Sequence, residues 1–162
     1  MEPKLTKQER TQAAIDAKES RARKHLLSLH HCLARSDVMR IHHDMLIGEI
    51  EASGIEAFTA AKKVRFSAYL AFWFTGLAGV VERFEELTNS DSIPGDEDIS
   101  ELITPEFKSV VKSFRNSVAH CSDHDDQRTL QLLDHERWVP DQAAALADAF
   151  HSYFAKNKAR QP

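Results

Sequence analysis

The chain has 162 residues, 42% hydrophobic and 28% charged, the balance of one globular domain and not of a disordered or fibrous chain. Twenty-one Lys and Arg against 25 Asp and Glu leave a formal charge of −4, which excludes a generic basic coat, so a polyanion would have to be met by a local patch. Two cysteines, Cys32 and Cys121, are too few for a disulfide framework, and the opening MEPKLTKQER lacks an apolar signal stretch, so the cytoplasm is the expected compartment.

Five Gly and five Pro and no sustained alternation of apolar and polar residues predict an all-α chain, an up-and-down bundle of about four to five helices in a single domain spanning 1–162. The first helix is expected from about Lys4 to Arg35, its early, charged part protruding. Ser36 and Asp37 offer a cap for a second segment through Val38, Ile41, Met45 and Ile50; a helix running straight through them is the other reading. Ser53 and Gly54 should end it. A third helix is expected over about Ile55 to Leu87, with Gly76 and Gly79 as places where another backbone could come close. It contains FSAYLAFWFTGLAGVV, 66–81, sixteen residues without a charge. A membrane span needs about 20 apolar residues, and charges flank this stretch within the same helical pattern, so it reads as the central helix of a bundle with no membrane partner. Phe72, Trp73 and Phe74 are consecutive and cannot all face one core.

Thr88 to Ser100 reads as the long loop between two helical hairpins. Thr104, Pro105 and Glu106 start a fourth helix that should reach about Cys121. The following stretch, through Val139, has no assigned conformation, and Pro140 and Asp141 begin the last helix. In the fourth helix Phe107, Val110, Val111, Phe114 and Val118 share one sector and form the expected core face. Lys108, Lys112 and Arg115 line one flank. Ser109, Ser113, Asn116 and His120 occupy the side farthest from the core. The exposed turns hold no acid after Glu106, which suits contact with a phosphate or a close partner helix, the plain alternative being a solvated face.

Arg115, Asn116 and His120 spell R-N-x-x-x-H, which resembles the motif of the HEPN superfamily of helical nucleotide-binding domains. The preceding helix, WFTGLAGVVERFEEL over 73–87, is similar to that family's aromatic central helix, with Glu82 as its acid. The resemblance covers about 60–156. It implies a homodimer whose two motif helices form a cleft, and a metal-independent endoribonuclease of the HEPN type that needs no cofactor. Such an enzyme cuts single-stranded RNA by attack of the 2′-hydroxyl, as a toxin or defence effector would. His120 could then serve as base or acid, since an unperturbed imidazole titrates near about 6.5. A two-fold axis supplies a second His120 for the complementary step. Arg115 would hold phosphorane charge, Asn116 would orient His120 or the phosphate, Glu82 would support Arg115, and Lys108 and Lys112 would bind RNA. The alternative is a non-catalytic helical dimer of the same kind that binds RNA, a nucleotide or a partner. Toxins of the superfamily often carry Tyr two positions after the histidine, where a protein antitoxin modifies them; here that residue is Ser122, which weakens the expectation of that control. Asp123, Asp125, Asp126 and Asp134 would repel a phosphate unless they turn away.

Other chemistry is open to the same residues. His120, Cys121, Asp123 and His124 are dense enough for a metal but lack a matching pair elsewhere. Cys121 beside His120 or His124 could be a nucleophile, but no oxyanion-stabilising loop accompanies it. The tandem pairs His30, His31 and His42, His43 are expected mostly at the surface.

Overall fold

Thr6 starts the first helix with a reciprocal cap: its Oγ1 accepts from the Glu9 N–H, while its own N–H donates to Glu9 Oε2 at 2.6 Å. From there α1 runs unbroken over Lys7–Ser53, 47 residues, a rod of about 70 Å at 1.5 Å per residue. The structure, a computed structural model, describes residues 6–120 and 138–159, with side chains excepted at 114, 117–120, 138 and 159. Gly54 ends α1 at φ 83°, a conformation glycine adopts without penalty. A short 3₁₀ turn, Ile55–Ala57, leads to α2, Ala60–Asn89. A six-residue α3, Glu97–Leu102, then α4, Pro105–His120, and α5, Trp138–Ala159, complete an all-helical architecture with no strand among the described residues.

At Ser36 and Asp37 the helix runs straight through, one of the two readings the sequence left open, and three other boundaries differ from the sequence expectation. Ser36 and Asp37 do not begin a new helix, because their side chains are spent on other elements: Ser36 Oγ donates to Trp73 O at 2.9 Å, and Asp37 binds His151 of α5. The third helix starts at Ala60 and not at Ile55, where the Thr59 hydroxyl accepts from the Lys62 N–H. The long loop is cut short because Asp96 caps α3 through the Ile99 N–H. Pro140 lies in the first turn of α5 and not at its start, a position whose N–H would be unpaired in any case.

The central element is α2. Leu70, Trp73, Phe74, Leu77, Val80, Val81, Phe84 and Leu87 are buried along it, against Leu29 and Leu33 of α1, Phe107 and Val111 of α4, and Leu146, Phe150 and Tyr153 of α5. Phe84 meets both Phe150 and Tyr153 edge to face, with ring centroids 5.3 and 5.5 Å apart. Of the aromatic triplet, Trp73 and Phe74 enter the core and Phe72 is left 60% exposed. By length and composition α2 is the one helix among the described residues that could cross a bilayer; in this fold its apolar side is covered by other helices. Gly76 allows α1 to approach: a Cβ there would sit 3.0 Å from Ser36 Cβ. Gly79 faces open space.

Candidate functional site

Helix α4 is amphipathic, and its packing on α2 decides what its polar side can do. Phe107 and Val111 are buried and Val110 is half-buried against the core; the side chains of Phe114 and Val118, expected on the same face, lie outside the described residues. That packing places Lys108 and Arg115, two turns apart on α4, over Glu85 and Glu82 of α2. Lys108 Nζ donates to both Glu85 oxygens at 2.9 and 3.2 Å, and Arg115 Nη1 donates to Glu82 Oε2 at 2.6 Å. Glu82 and Arg115 thus form the contact expected from sequence. Both pairs are partly exposed, so each stabilises the fold by about 1 kcal/mol or less.

Between the helices lies a groove of about 230 Å³. Its floor is Ala78, Val81, Phe107 and Val111, and its rim is Glu82, Glu85, Lys108 and Lys112. Lys112 is exposed and has no ion-pair partner among the described residues. The acid-free flank seen along α4 therefore does not stay acid-free in the fold, because α2 supplies two carboxylates that one-dimensional spacing on α4 cannot reveal. Asn116 follows Arg115 and is exposed. His120 is the last residue of α4; its side chain lies outside the described residues, as do Cys121, Ser122, Asp123, His124, Asp125, Asp126 and Asp134. Among the described residues no group of three or more His, Cys, Asp or Glu side chains is placed to hold a metal ion.

A second polar assembly, 114 positions apart in sequence, joins α1 to α5. Asp37, nearly buried, shares a 2.5 Å hydrogen bond with His151 Nε2 and accepts from Arg40 Nε at 3.4 Å. His151 lies at the edge of an open groove of about 690 Å³ that also takes in Arg23, His30, His31, Phe154 and Lys158. Along the chain Asp37 stands out only as a cap candidate and His151 not at all, since nothing local links residues so far apart. The tandem histidines also divide. His30 packs edge-on to Phe154, and His42 stacks on Tyr69. His43 is buried, 9% exposed, against Phe66 and Trp73, which corrects its expected place at the surface: the α1 face that holds Leu46 and Leu29 carries it inward.

No protein-family model, curated protein or solved structure matches the chain.

Proposed function

We propose that the chain is a metal-independent endoribonuclease of the HEPN type, cleaving single-stranded RNA at the α2–α4 surface of a homodimer. The observation that supports this best is the 2.6 Å pair between Glu82 and Arg115. It fixes the guanidinium one residue before Asn116 and five before His120, on the helix that carries all three. A planar guanidinium held by one carboxylate keeps other donors free for a phosphate. In the reaction a general base removes the 2′-hydroxyl proton, the 2′-oxygen attacks the adjacent phosphorus, and a general acid protonates the departing 5′-oxygen, leaving a 2′,3′-cyclic phosphate. His120 from each protomer would take one of these two roles, Arg115 would carry the charge that builds on the phosphoryl oxygens, and Asn116 would set the orientation. A role as a toxin or defence effector, held in check by a protein regulator, is part of the same reading.

The second reading, a non-catalytic binder of RNA, a nucleotide or a partner, rests on a different observation: Lys108, expected to bind RNA, is engaged by Glu85 before any ligand arrives. One experiment separates the two. Purified protein in EDTA is expected to cut single-stranded RNA to cyclic-phosphate ends and to spare DNA of the same sequence. His120→Ala is expected to lose about 10² to 10⁴ in rate or more, since one substitution removes acid and base together. Folded wild-type protein that binds RNA through Arg115 without cutting it would establish the binder instead.

A further inference from the structure

The longest helix carries a second face that the monomer does not use. On α1 the core side is Leu29, Leu33, Ser36 and Leu46. On the opposite side, alternating steps of four and three from Ala13 to Ala52 pass through twelve residues, every one of them exposed. This is the heptad spacing of a helix that pairs with another helix. Although α1 is rich in charge, the twelve include a single charged residue, Lys24. Val38, Ile41 and Met45 on this line are 47, 50 and 60% exposed, a run of large apolar side chains with nothing over them.

Two other features bear on what covers the stripe. Every residue from Thr6 to Arg21 is exposed, so the first four turns of α1 stand clear of the bundle, where an isolated helix of that length is marginal in water. Charge is also polarised along α1: residues 7–29 hold six Lys and Arg to three Asp and Glu, whereas 30–53 hold two to four. A second copy lying antiparallel sets each basic half against an acidic half, while a parallel copy sets like against like. With the two helices fully overlapped and the two-fold axis near Leu29, the apolar positions also match in size. Ala13 and Ala17 of one copy fall opposite Met45 and Ile41 of the other.

We infer that α1 is a self-association surface, pairing antiparallel with α1 of a second copy along the stripe from Ala13 to Ala52. This contact goes beyond the proposed α4 dimer: both α1 and α4 pack on α2, with few contacts between them. If both contacts form, the particle is larger than a dimer. The test uses the full chain. In light scattering at tens of micromolar, Ile41→Glu with Met45→Glu is expected to halve the particle mass while the bundle stays folded, because both side chains are exposed, with loss of helicity by circular dichroism limited to the first four turns of α1. In a background with Cys32→Ser and Cys121→Ser, mixing Ala13→Cys and Met45→Cys proteins under mild oxidation is expected to give the mixed disulfide dimer and neither homodimer. A wild-type mass of one chain, an unchanged mass in the double Glu variant, or cross-linked Ala13→Cys homodimers would each overturn the inference. In the first two cases the stripe is left to a different protein or a lipid surface. A mass that falls only when α4 is substituted would overturn this contact while supporting the α4 dimer, and RNA cleavage retained by the double Glu variant would show the two surfaces to be separate.

Discussion

Gly76 and Gly79 differ by one turn of the same helix and should respond oppositely to alanine. At Gly76 the new Cβ meets Ser36 Cβ, Oγ and Cα at 3.0, 3.2 and 3.3 Å. Since Cα belongs to the backbone of α1, the helices must part, at a cost of about 1–3 kcal/mol, offset by about 1 kcal/mol of helix propensity. Gly76→Ala is expected to lower stability in urea by about 1 kcal/mol. Gly79→Ala, with nothing near the added atom, is expected to raise it by about 0.5–1 kcal/mol. Both glycines were expected from sequence as close-approach positions, and the neighbouring helix makes Gly76 the one that is used. Tyr153 offers a pH test at the same scale. Its hydroxyl donates to Pro94 O at 2.8 Å, and burial, with Asp96 nearby, pushes its pKa up to about 12. An unfolded tyrosine titrates near about 10, so the folded state keeps the proton longer. The stability this provides is complete below about pH 10 and is lost as pH rises toward 12. The urea midpoint of the wild type should fall over that window more steeply than that of Tyr153→Phe.

At the scale of elements, Asp96 shows how one side chain shapes a loop. It caps α3, approaches Lys156 Nζ at 3.6 Å and raises the Tyr153 pKa. Asp96→Ala is expected to cost about 1 kcal/mol in thermal or urea unfolding. It should also bring the Tyr153 phenol part of the way back toward its ordinary value in a spectrophotometric titration, the share due to burial remaining. The elements themselves were largely readable: Gly54 as the stop of α1, Pro105 as the start of α4, the polar loop after α2, and the close packing at Gly76 all follow from local chemistry. The continuity of α1 through Ser36 and Asp37 was not decided by sequence, because those side chains look like caps until their distant partners, Trp73 O and His151, are in place. His43 was missed for the same reason, since burial is a property of the whole face. Of the candidate site, the contact of Glu82 with Arg115 was legible because both residues lie on adjacent helices of an expected pattern, whereas the pairing of Lys108 with Glu85 required the register between α2 and α4.

For the molecule as a whole, α2 works as the shared partition. Aromatic and aliphatic groups on it hold α1, α4 and α5, and its acids face the cations of α4. Glu82→Gln together with Glu85→Gln should therefore leave the fold within about 1–2 kcal/mol of wild type, as both pairs are partly exposed. Circular dichroism would confirm the retained helicity while RNA binding is measured.

That partition has a consequence for ionic strength. Glu82 and Glu85 are counter-ions the chain supplies to itself, so Arg115 and Lys108, already neutralised, displace few of the cations condensed on a bound RNA. A single-stranded RNA engaging three free cations would lose affinity with a log–log salt slope of about −2, from about −0.7 per phosphate. With Lys112 the one of the three cations that is free of an acid among the described residues, the wild type should show a slope nearer about −0.7 per protomer, and the double Gln variant should move to about −2 while binding more tightly in dilute buffer. A surface built in this way would hold its ligand over a wide range of salt and would gain little from dilution.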